Sequence, residues 1–82
     1  MRNSVIMIFS NEKTNCCIDI EVPLNITANE LIYGLNKGLN LGINMEDVSQ
    51  CYLCTENPIA LLRGDELLEV YGLRNGTVIH FR

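Results

Sequence analysis

Four cysteines, one histidine and ten carboxylates are the side chains of this 82-residue chain with the most obvious chemical potential. Cys51-Tyr52-Leu53-Cys54 has the C-x-x-C spacing of a zinc knuckle, and Cys16-Cys17 could supply two more thiolates. The local pattern argues against that use. A knuckle is a tight turn, whereas Tyr52 and Leu53 continue an apolar strand, and residues three apart on a strand face opposite sides. A redox dithiol would need the N-terminus of a helix to activate it. The cysteines therefore read as small hydrophobes, and neither a metal nor any other cofactor is expected. Asp19 and Glu21 share a strand face but have no neighbour to tune either one, so they read as solvated. His80 is the sole histidine and lies in an apolar run. One histidine without a constellation around it predicts a protein that is not an enzyme.

Composition narrows the partners. Six Lys/Arg against ten Asp/Glu leave a formal charge of −4. The basic residues are scattered (Arg2, Lys13, Lys37, Arg63, Arg74, Arg82), so no stripe exists to neutralise phosphates and nucleic acid is not expected. An apolar share of 48% with 20% charged residues is globular, and the length suits one domain over residues 1–82. The opening apolar run, residues 5–9, is too short for a signal core or a membrane span. A cytoplasmic protein with reduced thiols and no direct membrane insertion is the expectation.

These side chains must be carried by a small set of elements. Val5-Ile6-Met7-Ile8-Phe9 reads as a central strand covered on both faces or nearly so. Ile18-Asp19-Ile20-Glu21-Val22 alternates, predicting a half-buried strand that forms a hairpin with the first and stops at Pro23. Thr27-Ala28-Asn29-Glu30 is a capping box, with Ile26 and Leu31 placed for a hydrophobic staple. Leu31, Leu35 and Leu39 then stripe one face of a helix, and Gly42 is expected to cap its end. Gly34 and Gly38 beside that stripe either bring the helix close to a sheet or simply weaken it. Residues 51–55 and 59–62 read as two further strands, 66–73 as a partly 3₁₀ connection, Asn75-Gly76 as a turn, and 77–81 as a last strand. The order is ββαββ(3₁₀)β. With a single long helix, this predicts an α+β fold whose mixed sheet of four to five strands packs on that helix. Pairing the first and last strands at the centre buries the most apolar segment, which is the β-grasp arrangement.

The run from Leu68 to Phe81, with Tyr71-Gly72-Leu73 ahead of Asn75-Gly76, resembles the ubiquitin-like pattern. Together with Ile18-Asp19-Ile20-Glu21-Val22-Pro23 and the capped helix, it makes the chain most similar to the YukD/EsaB proteins over residues 5–81. Those are stand-alone ubiquitin-like domains that accompany the type VII (WXG-type) secretion system of Gram-positive bacteria. The resemblance implies a non-enzymatic interaction module, an accessory or regulator of that system. Its protein partners would be membrane-bound secretion components, including an ATPase or pseudokinase subunit. Tyr71 matches the tyrosine whose hydroxyl holds the loop before the last strand, a structural role. Ubiquitin and the sulfur carriers of the ThiS/MoaD type end in Gly-Gly; this sequence ends His80-Phe81-Arg82, which implies neither conjugation nor sulfur transfer. A carrier partnered with an activating enzyme is the alternative, and a small thiol or zinc protein a third. If Ile79 and Phe81 face the helix, Val78 and His80 share the outer sheet face with Tyr52 and Cys54. In ubiquitin that face is the principal recognition surface, so these four residues are the candidate protein-interaction site, an apolar patch with few charges. The opposite helix face, or no single dominant face, are the alternatives.

Overall fold

A computed structural model describes residues 4–81. Five strands, β1 (Ser4–Asn11), β2 (Cys16–Pro23), β3 (Leu53–Glu56), β4 (Ala60–Leu62) and β5 (Val78–Phe81), form one sheet in the order β2-β1-β5-β3-β4. β1 and β5 run parallel at its centre, and the other pairs are antiparallel. This is the β-grasp arrangement, with both apolar end segments placed innermost.

One helix, α1 (Ala28–Leu39), packs on one face. Met7 and Phe9 of β1, Val22 of β2, Leu53 of β3, Leu62 of β4 and Ile79 of β5 are buried beneath Leu31, Ile32 and Leu35 of the helix. Phe9 and Phe81 stack within this core, ring centroids 6.4 Å apart. A single helix covers only one side of a sheet. β1 is therefore central but not covered on both faces: its outward Ile6 remains 42% exposed. Its uninterrupted apolar run does not report two-sided burial.

The helix start follows from local sequence. Thr27 Oγ1 accepts from the Glu30 amide at 3.1 Å, and Glu30 Oε1 accepts from the Thr27 amide at 2.9 Å. The next unpartnered amides of the first turn are met from the far side of the chain. Ala28 N–H donates to Glu66 O and Asn29 N–H to Gly64 O, each at 3.0 Å. Asn29 also accepts from the Gly64 amide through its side chain, so the 64–66 segment is bound to the helix N-terminus. The C-terminal cap is Asn40, in the left-handed conformation at φ 58°, rather than Gly42. Asn tolerates that region, and its amide closes on Asn36 O. Asn36 then holds the outgoing chain by pairing with both the amide and the carbonyl of Ile43, at 2.9 Å each. Gly34 and Gly38 lie on the solvent side, with open space where a Cβ would project. They bring nothing close to the sheet, which leaves the weakened helix.

Two short 3₁₀ turns, Val48–Gln50 and Leu68–Tyr71, complete the elements among the described residues. The first displaces Cys51 from the third strand: Cys51 caps the turn, and β3 begins at Leu53. Tyr71 Oη donates to Arg63 O at 3.2 Å, tying the 3₁₀ connection back to the end of β4. The Asn75-Gly76 turn docks onto β1, with Asn75 Oδ1 accepting from the Ile6 amide at 2.8 Å and Gly76 N–H donating to Ile6 O at 2.9 Å. Those two bonds set where β5 begins beside β1.

Candidate functional site

Strand register determines what the outer sheet face displays, because paired residues in neighbouring strands project to the same side. His80 lies between Ser10 of β1 and Cys54 of β3, and Cys54 pairs in turn with Leu61 of β4. The adjacent row runs Asp19, Ile8, Val78, Glu56. Ile6 sits opposite Glu21 beyond it. Tyr52, two residues before Cys54, joins Cys54 and His80 around a shallow depression of about 270 Å³, with Lys13 and Gln50 on its rim. The structure thus brings Val78, His80, Tyr52 and Cys54 onto one surface.

Ile6, Ile8 and Leu61 belong to the same surface, although the sequence reading did not include them. Ile6, Leu61 and Tyr52 are 42%, 45% and 47% exposed. The signal available for the first two was the count of helices, since one helix leaves alternate residues of β1 uncovered.

The expected scarcity of charge does not hold. Glu12 Oε2 lies 3.1 Å from His80 Nδ1, and Glu56 Oε1 lies 2.9 Å from His80 Nε2. A neutral imidazole has one N–H, so only the protonated ring can donate to both carboxylates together. Carboxylates occupy both ring nitrogens, and neither nitrogen is directed at the Ser10 hydroxyl or the Cys54 thiol beside it. The surface therefore contains an apolar strip of Ile6, Ile8 and Val78 next to a polar centre, and no nucleophile–base pair is assembled around His80.

The cysteines are dispersed. Cys16 and Cys17 are exposed on β2, Cys54 lies on the outer face, and Cys51 is buried with its Sγ 3.4 Å from Met45 O. Among the described residues, no group of three or more His, Cys, Asp or Glu side chains converges to hold a metal ion. No helix among them is long and apolar enough to cross a membrane.

This architecture is ubiquitin-like. The ubiquitin-like domain of tubulin-binding cofactor B matches it with a TM-score of 0.72 at 18% identity, covering 98% of this chain and 89% of that one. The C-terminal ubiquitin-like domain of mouse tubulin-specific chaperone e also gives 0.72, at 14% identity, covering 96% and 84%. A protein designed on the basis of ubiquitin gives 0.67 at 16% identity, covering 98% and 88%. At these identities the likeness defines the fold alone. No curated protein sequence matches the chain. A family model does: residues 5–81 match protein YukD of the WXG100 protein secretion system (Wss), and the chain belongs to that family.

Proposed function

We propose that this chain is a cytoplasmic, non-enzymatic accessory module of WXG-type (type VII) secretion. It would bind membrane-bound secretion components, the ATPase or pseudokinase subunit among them, through Val78, His80, Tyr52 and Cys54 on the outer sheet face. Family membership over residues 5–81 is the observation that carries the secretion assignment. The choice of surface is supported by its uncovered apolar strip, since partly exposed aliphatic and aromatic groups beside a polar centre are the makings of an interface. Conjugation and sulfur transfer are not part of the proposal.

Genetic replacement in the source bacterium tests the role. Removal of the gene should reduce export of a WXG-type substrate, and the wild-type gene should restore it. Val78→Asp, produced at wild-type abundance, should not. Full export without the protein would contradict the secretion assignment, whereas full restoration by Val78→Asp would contradict the choice of face.

A further inference from the structure

A second surface lies on the helix side of the molecule, away from the outer sheet face. A groove of about 840 Å³ runs between the solvent flank of α1 and the segments 45–51 and 63–66. Tyr33, Met45 and Val48 supply its apolar lining, and Glu30, Asp65 and Glu66 its carboxylates. We propose that this groove is a docking site for a basic amphipathic segment of a partner protein, with an apolar side chain against Tyr33 and Val48 and Lys or Arg groups against the carboxylates.

Three observations carry the assignment. The apolar groups are presented rather than tucked away: Val48 is 82% exposed and Tyr33 50%. Val48 opens a turn secured by its own bonds. Asp47 Oδ1 accepts from the Ser49 amide at 3.0 Å and from the Ser49 hydroxyl at 2.6 Å, while Asp47 Oδ2 accepts from Gln50 Nε2 at 3.0 Å. The opposite wall is secured too, because segment 64–66 is bonded to the first turn of α1. A groove with both walls held loses little conformational freedom when it is filled.

Charge selects the occupant. The lining has three carboxylates and one guanidinium, that of Arg63, giving 1 − 3 = −2. Glu30 commits only Oε1 to the Thr27 amide and Asp65 only Oδ1 to Asn29, so each retains an oxygen for a cation. Lys37, whose Nζ lies 5.3 Å from the Tyr33 ring centroid, adds one positive charge beside the lining, so the groove and its rim together carry 2 − 3 = −1 and remain acidic. An acidic segment would be repelled, and a purely apolar one would desolvate the carboxylate oxygens that face the groove without compensating them.

The experiment is an amide NMR titration of the whole chain with a synthetic Leu/Lys peptide of helical amphipathic spacing. A peptide with Ser in place of each Leu and a Leu/Glu peptide serve as controls. Shifts should centre on 45–51, 63–66 and the first turns of α1, with the Leu/Lys peptide only, and weaken with salt. Val48→Ser and Glu66→Lys, both exposed changes whose folding the same spectra report, should each weaken binding about fivefold or more. Val78→Asp should leave this titration unchanged, which separates the groove from the function proposed for the outer face. Shifts centred on Val78 and His80, equal binding by the Ser-containing peptide, or unaltered binding by both groove variants would overturn the proposal. So would self-association of the chain through this groove.

Discussion

Gly34→Ala and Gly38→Ala should stabilise the protein, and the size of the gain can be set beforehand. Both glycines lie within α1 on its solvent side, outside the left-handed φ region, and a Cβ at either would meet nothing within 4 Å. The substitution therefore adds neither a clash nor a contact. What remains is the conformational entropy that glycine loses on entering a helix, about 0.8–1.0 kcal/mol relative to Ala in an interior. Gly34 is in the middle of the helix and should recover about that much. Gly38 precedes the last residue, where the helix frays, and should recover about half. Together they should give roughly 1.5 kcal/mol, which for a domain of this size raises Tm by about 6–12 °C. Urea unfolding of the two single variants and the double variant is the assay, with an unchanged m value as the sign that the native and unfolded ensembles are otherwise alike. A null or destabilising Gly34→Ala would mean instead that the solvent side of α1 is closely covered in solution, contrary to the open space at Gly34.

Two further outcomes follow from single bonds. Asn75→Ala removes the side-chain acceptor of the Ile6 amide, so it should cost about 1 kcal/mol in urea unfolding and speed exchange of that amide. Hydrogen bonds from the Ser49 hydroxyl, the Gln50 amide and the Ser49 backbone, in that order, hold the Asp47 carboxyl below its ordinary value of 3.8. A lowered folded value means that the support Asp47 gives the 48–50 turn is present above 3.8 and lost as pH falls through the lower folded value. The Ser49 amide shift should therefore titrate with a midpoint below 3.8 and lose that step in Asp47→Ala.

What sequence could reveal depended on how far apart the interacting residues lie. The Thr27–Glu30 box spans three positions, and its residue types leave little choice of conformation, so the helix start was readable directly. Alternation in 18–22 and 77–81 separates the two faces of β2 and β5, and the ubiquitin-like resemblance is what implies that Val78 and His80, rather than Ile79 and Phe81, point outward. Glycine is the commoner left-handed residue, which points to Gly42 as the C-cap, yet Asn40 comes first in the chain and has the Asn36 carbonyl within reach. The uninterrupted apolar run of β1 hid its outward face, since Ile6 and Ile8 look the same in sequence whether covered or open. The charges around His80 were least accessible. Glu12 is 68 positions from His80 and Glu56 is 24, and both approaches depend on register between strands that only the folded sheet defines. The groove beside α1 has the same origin, because its lining comes from three separate stretches of chain.

Whether the outer sheet face meets the secretion machinery is decided by direct binding. The purified protein and its Val78→Asp variant, matched by circular dichroism and thermal unfolding, would each be titrated against the cytoplasmic parts of the ATPase and pseudokinase components of a WXG-type secretion system. The wild-type protein should bind at least one of them saturably, and Asp at the outer face should weaken that binding about tenfold or more. Binding of equal strength by the two proteins, or binding by neither to any of those components, would contradict the proposed role of that face.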